Sequence, residues 1–264
     1  MTKIMGILNV TPDSFFDKGQ FFNPDAANAQ GIRICSDGAD IIDIGGESTR
    51  PGAHPVSTQD ELDRVLPVIK AIRSASAIQI SIDTRKPLVA RAAIEAGATL
   101  INDVSGFTDP AMQEIAAASN VEICVMHMQG TPQTMQNNPN YPEGIIPHLI
   151  CWFESQVNLL IKRGVLEKHI ILDPGIGFGK TVADNLEIIE NLPKLKAIGF
   201  PLLLGVSRKS FMSKILNKSA SELLPATIAI NTLLVMSGID VIRVHDVSEH
   251  RSVVDLLMKM RRLN

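Results

Sequence analysis

Eight times along this chain, a short run dominated by Ile, Val and Leu is followed by a loop and then by a stretch with helical spacing. The runs are KIMGILNV from Lys3, DIIDIGG from Asp40, IQISIDT from Ile78 and LINDVSG from Leu100. EICVMHM from Glu122, HIILDPG from His169, PLLLGVS from Pro201 and DVIRVHD from Asp240 complete the set. They are near-continuously apolar where a half-exposed strand would alternate, which is the pattern of parallel strands covered on both faces. Between them, Thr58 with Glu61 reads as a capping box. Leu62, Val65, Leu66, Ile69 and Ile72 then share one helical face, across a Pro67 expected to kink it. Asn23-Pro24 reads as another helix start, and Gly97, Gly164 and Gly238 as helix stops. Gly130 to Glu143, with Pro132, Pro139 and Pro142, reads as a long loop. Eight such units without a low-complexity linker predict one domain, residues 1–264, folded as a (β/α)8 barrel. The competing architecture is a doubly wound open sheet.

Composition narrows the function classes. The 264 residues are 45% hydrophobic, with 25 basic against 28 acidic side chains. That apolar fraction excludes disorder, and a balanced charge without a basic block argues against nucleic acid as a partner. No apolar run approaches the ~20 residues of a membrane helix. Cys35, Cys124 and Cys151 lie far apart, neither a disulfide framework nor a zinc ribbon, which fits a reducing compartment. MTKIMGILNV has no leader character, so a cytoplasmic protein acting on small molecules is expected.

In such a barrel the chemistry lies at the C-terminal ends of the strands. Each run here ends in polar residues: Asn9, Asp43 with Glu47, Asp83, Asn102, His127, Asp173, Ser207 with Lys209, and Arg243 with His245. A carboxyl among branched apolar residues costs several kcal/mol unless it is paired or used. The glycine-rich DPGIGFGKT is not a P-loop, because three residues separate Gly175 from Gly179 and Pro174 holds the position that would fit. The dinucleotide pattern fails too, with Lys180 and Val182 at the third glycine positions. Arg50, Arg208, Lys209 and Arg243, with His245, suit a diphosphate or carboxylate. Arg243 and His245 alternate on one strand and so face one side. His127, between two methionines, reads equally as a core or a catalytic histidine. Zinc spacing is missing, and the oxygen ligand Asn9 suits magnesium held mainly by phosphate and water.

GILNVTPDSF, GGESTRPGA, SIDT, INDVSGF, HMQGTPQTMQ followed by NPNY, ILDPGIGFGK, GVSRKSF and RVHDV occur in that order from Met5 to about Ser248. Together they resemble the dihydropteroate synthases, a (β/α)8 family. The family joins (7,8-dihydropterin-6-yl)methyl diphosphate to 4-aminobenzoate with magnesium present, and sulfonamides target it. The resemblance implies a pterin pocket at Asp83, Asn102, Asp173 and Lys209, walled by Met126, Phe178 and Gly205. It implies a magnesium and diphosphate role for Asn9 and an anion site at Arg243 and His245. Thr49, Pro51, Phe15, Lys209 and Ser210 fall on its aminobenzoate side, and a homodimer through the last helices is expected. The chain departs from the family pattern at Phe16 and Lys18, where bulk and charge bear on sulfonamide sensitivity. Asp184 stands where many members carry His, and the chain starts almost on its first strand, leaving the closure of the barrel base unexplained. Rival readings are a methyltetrahydrofolate–corrinoid methyltransferase, a Schiff-base aldolase using Lys209, and a non-catalytic barrel.

Overall fold

The eight apolar runs are strands of one parallel sheet. In chain order the strands are β1 (Lys3–Asn9), β2 (Phe16–Asp17), β3 (Phe21–Phe22), β4 (Ile41–Gly45) and β5 (Gln79–Asp83). They continue with β6 (Leu100–Asp103), β7 (Glu122–Met126), β8 (Ile170–Asp173), β9 (Leu203–Leu204) and β10 (Val241–Val244). The computed structural model describes residues 1–11, 16–17, 21–22, 24–49 and 52–261. The sheet runs β8-β7-β6-β5-β4-β1-β10-β9. A parallel bridge between Leu172 and Leu202 joins its two edges, with Leu172 N–H donating to Pro201 O at 2.9 Å. That closure makes a barrel and rules out the open doubly wound sheet.

Helices alternate with the strands: α1 (Pro24–Ser36), α2 (Thr58–Ala75), α3 (Pro87–Glu95), α4 (Pro110–Ala118) and α5 (Ile145–Lys162). The second half carries α6 (Val182–Glu190), α7 (Leu192–Lys196), α8 (Ser210–Leu216), α9 (Leu224–Met236) and α10 (Val247–Arg261). Strand alternation explains the unbroken apolar runs. Ile4, Leu8, Ile42, Ile80, Ile101, Ile123, Leu172 and Ile242 pack outward in the core shared with the helices. Their neighbours Met5, Ile41, Leu100, Cys124, Ile171, Leu203 and Val241 form a separate buried cluster inside the barrel. At the strand starts Gln79 donates to Glu122. This polar pair lies at the strand-start end of the barrel, beneath the apolar layer.

Local details refine the sequence expectations. Ser57 caps α2, one residue before Thr58: its hydroxyl accepts from Asp60 N–H at 3.1 Å. Glu61 is therefore free of capping and is buried against Lys86. The helix continues through Pro67 as one element. Gly97, Gly164 and Gly238 end helices at φ of +113°, +104° and +80°. Asp184 completes a capping box with Thr181 at the start of α6, so its side chain has a structural task. After β1, Phe16 pairs antiparallel with Phe22 through the short β2 and β3, which the apolar pattern did not announce. Phe15, Lys18, Arg50 and Pro51 lie outside the described residues.

Candidate active site

Two residues beyond the apolar interior layer, the same inward face carries Asp43, Asn102, Met126, Asp173, Gly205 and Arg243, and Asp83 follows Ser81. Alternation alone thus carries these residues from seven dispersed segments into one barrel mouth. Asp43 is fully buried and gathers three donors. Ser81 Oγ donates to Oδ1 at 2.5 Å, while Arg243 Nε and Asn102 Nδ2 donate to Oδ2 at 2.6 and 3.2 Å. Arg243 Nη2 then reaches Asp83 Oδ2 at 2.7 Å. The guanidinium is clamped between two carboxylates, so it is an internal counter-ion as well as a pocket wall. Asp83 Oδ1 and Asn102 Oδ1 are left buried without a partner. An orphaned acceptor pair in a native interior calls for a ligand donor or water.

Across the mouth, Asp173 Oδ1 accepts Gly175 N–H at 2.8 Å. Gly175 has φ +68°, and a Cβ there would sit 2.1 Å from His127 O, so only glycine fits this approach. Lys209 places its ammonium 4.1 Å from the Phe178 ring centroid. Burial pushes the carboxyls of Asp83 and Asp173 upward, opposed at Asp83 by Arg243 and at Asp173 by the Gly175 N–H and Lys209. Burial and then Arg243 push the Lys209 ammonium down. Displaced acids and a displaced lysine in one cleft mark a functional site.

The pocket is lined by Thr49, Asp83, Asn102, Met126, Asp173, Phe178, Gly205, Lys209 and Arg243, all foreseen from the sequence. Val104, Gly175 and Ile176 line it as well. Asn9 ends β1, half-buried and away from that lining. Ser210 starts α8 and is exposed. His245 is exposed beyond the end of β10, with Nδ1 2.9 Å from Ser207 Oγ. Two carboxylates engage Arg243 inside the barrel, whereas His245 stands beside Ser207 beyond the strand end. Arg208 is likewise engaged, by Asp246 at 2.5 and 3.1 Å.

His127 settles as a core residue. It is 2% exposed, with Lys180 Nζ 3.0 Å from its Nδ1 and His148 Nε2 3.1 Å from its Nε2. Burial and then Lys180 hold its pKa far below the ordinary range. Lys180 also donates to His127 O and Phe178 O at 3.2 and 3.0 Å. It thereby ties the glycine-rich turn to the end of β7. Sequence reasoning missed Lys180 and the clamping role of Asp43; for Lys180 the only signal was its place behind three glycines.

The fold and site define a barrel enzyme built to hold a flat, donor-rich heterocycle, and the pterin binding enzyme family matches residues 5–245. A dihydropteroate synthase from Synechocystis is 48% identical over 248 residues, covering 93% of this chain and 86% of that protein. The dihydropteroate synthase of Yersinia pestis, solved with a sulfonamide drug complex, superposes with a TM-score of 0.93 at 40% identity, covering 99% of this chain and 94% of that one. That of Burkholderia cenocepacia, complexed with 7,8-dihydropteroate, gives 0.90 at 37% identity, covering 100% and 92%. The chain belongs to the dihydropteroate synthases of the pterin-binding family.

Proposed function

We propose that this chain condenses (7,8-dihydropterin-6-yl)methyl diphosphate with 4-aminobenzoate, giving 7,8-dihydropteroate and diphosphate. The observation that carries this reading is the pair of orphaned acceptors, Asp83 Oδ1 and Asn102 Oδ1, sharing a pocket with Asp173. A pterin presents an amino-amidine edge of N–H donors. An ionised Asp173 accepts two of them in parallel, while Asp83 and Asn102 complete the pattern. Met126, Phe178 and Ile176 supply apolar walls for the ring. The likeness to relatives named for this reaction supports the same chemistry.

The reacting bond is the C–O bond to diphosphate, whose electron pair leaves with the diphosphate while the arylamine lone pair forms the new C–N bond. The amine is neutral near pH 7, so the amine proton departs after bond formation and no strong general base is required. Charge develops on the leaving diphosphate, and the Lys209 ammonium and the His245 imidazole are the donors assigned to that side. Arg243 opposes the effect of burial on the Asp83 carboxyl and holds it in place for the pterin. Among the described residues no group of three or more His, Cys, Asp or Glu side chains is placed to hold a metal. A single amide oxygen at Asn9 fits a magnesium ion carried chiefly by diphosphate and water. Asn9 would hold that ion at the barrel mouth, where it supplies charge neutralisation for the leaving group.

Leu233 and Met236 on α9 are 61% and 52% exposed, and Leu256 and Met260 on α10 are 61% and 54% exposed. Apolar residues grouped on two neighbouring helices support a homodimer through this face. Among the described residues no helix is long and apolar enough to cross a membrane; three free, separated cysteines support the reading of a reducing, cytoplasmic compartment. Calorimetry with a non-reactive pterin diphosphate analogue tests the site reading. Binding that strengthens with magnesium is expected; an absence of binding under both conditions contradicts it.

A further inference from the structure

Glu47 lies just beyond β4, and its side chain is 6% exposed. Both of its oxygens are occupied. Oε1 accepts from Arg85 Nε at 3.0 Å, and Oε2 accepts from Lys86 Nζ at 2.6 Å and from the Val56 N–H at 3.0 Å. Lys86 is bound in turn by the buried Glu61 of α2. Beside Glu47, the carbonyl of Gly46 accepts from Arg64 Nη1 at 2.8 Å. The segment that leaves β4 and the segment that enters α2 therefore meet on one carboxylate. Between these feet, Thr49 lines the pocket. Gly52 N–H donates to Pro132 O at 3.3 Å, and Gln133 Nε2 donates to Ala53 O at 3.1 Å. Gly52 and Ala53 thus rest on the β7–α5 loop.

We propose that Glu47 is a positioning residue for the second substrate: held at the end of β4 by Arg85, Lys86 and the Val56 N–H, it sets where Thr49, two residues on, stands over the arylamine side of the pocket. This rests on the function proposed above. Ordinary backbone capping would not need the accompanying charges. Here Arg85 and Lys86 lie two and three residues past the pocket carboxylate Asp83, just beyond the end of β5, so the pin is keyed to the same strand that holds the pterin side. Although burial pushes the Glu47 carboxyl up, Lys86, the Val56 N–H and Arg85 together hold it below the usual range. The pin accepts three hydrogen bonds, two of them from cationic side chains, which is the stronger kind. Pterin contacts at Asp83, Asn102 and Asp173 come from strand ends and do not depend on the pin.

The test compares Glu47→Ala and Glu47→Gln with the parent chain, measuring steady-state kinetics, calorimetric affinity for the pterin diphosphate analogue, and hydrogen exchange. Glu47→Ala should raise the Michaelis constant for 4-aminobenzoate by about tenfold, the scale of one lost charged hydrogen bond. Analogue affinity should stay within about twofold, as expected for contacts that do not share the pin. Amides of residues 52–56 should exchange faster while peptides of β5 and β8 do not change. Glu47→Gln keeps an oxygen for Val56 and should recover most of the loss, with exchange between the other two. Equal losses for both ligands, or an unchanged aminobenzoate constant, overturn the proposal. If Glu47→Ala does not fold, Glu47→Gln decides: parent-like kinetics and parent-like exchange of residues 52–56 overturn it. A parent chain that binds neither ligand defeats the functional reading instead, and the exchange comparison still judges the pin.

Discussion

Arg243 Nε donates to Asp43 Oδ2 at 2.6 Å across 200 residues of sequence. This contact turns a strand-end arginine away from solvent and makes it the counter-ion of the barrel interior. Asp43 gathers three side chains, so Asp43→Ala leaves Arg243 with Asp83 alone and strips Ser81 and Asn102 of their acceptor. Breaking a buried pair in this way costs about 3–5 kcal/mol. Urea denaturation should show that loss, together with weaker pterin binding.

Asp173→Asn replaces an acceptor by an N–H donor against the pterin amino edge. The expected loss of transition-state stabilisation is roughly 2–4 kcal/mol. The ratio kcat/KM for the pterin substrate reports it, and a pterin affinity held within twofold would remove Asp173 from the binding role.

Arg243 and His245 should separate in their ligand dependence. His245→Ala should weaken the diphosphate-bearing pterin and leave a pterin without diphosphate nearly unaffected. Arg243→Ala should weaken both, because Asp43 and Asp83 lose their shared cation. Calorimetry with the two ligands checks this; a purely diphosphate-dependent Arg243 effect would show that the guanidinium leaves its carboxylates when substrate binds.

The pH response follows from Asp173, whose carboxyl burial raises to about 6 against the pull of the Gly175 N–H, Lys209, Lys180 and Arg243. Pterin N–H donors need the ionised carboxylate, so affinity should fall as the pH drops through that value. Unliganded stability runs the other way. Between an unfolded value of about 4 and the raised folded one, the native state binds the proton more tightly. Stability therefore declines as the pH rises through that window. Asp173→Asn should flatten both dependences, measured by calorimetry and by urea midpoints across the same range.

The barrel was legible because strands buried on both faces must be apolar at every position. Ile42 and Ile44 point to helices while Ile41 points inward, and nothing interrupts the run. The mouth was legible for a related reason: Asp83, Asn102 and Asp173 are polar residues ending apolar runs. Pairings between segments were not legible. Nothing local in RVHDV says that Arg243 will meet Asp43, and nothing in GFGK says that Lys180 will reach back to His127. Glu61 was misread as a cap partner because a capping box and a buried ion pair share the same spacing. The cap fell one residue earlier, which freed Glu61 to meet Lys86.

The most direct test of the account follows diphosphate release on mixing the purified chain with (7,8-dihydropterin-6-yl)methyl diphosphate, 4-aminobenzoate and magnesium, with chromatography of the pterin product. The account predicts diphosphate and 7,8-dihydropteroate in equal amounts, formed only when both substrates are present and suppressed by Asp173→Asn. Diphosphate released without a matching pteroate, or no release from a folded chain that binds both ligands, would contradict it.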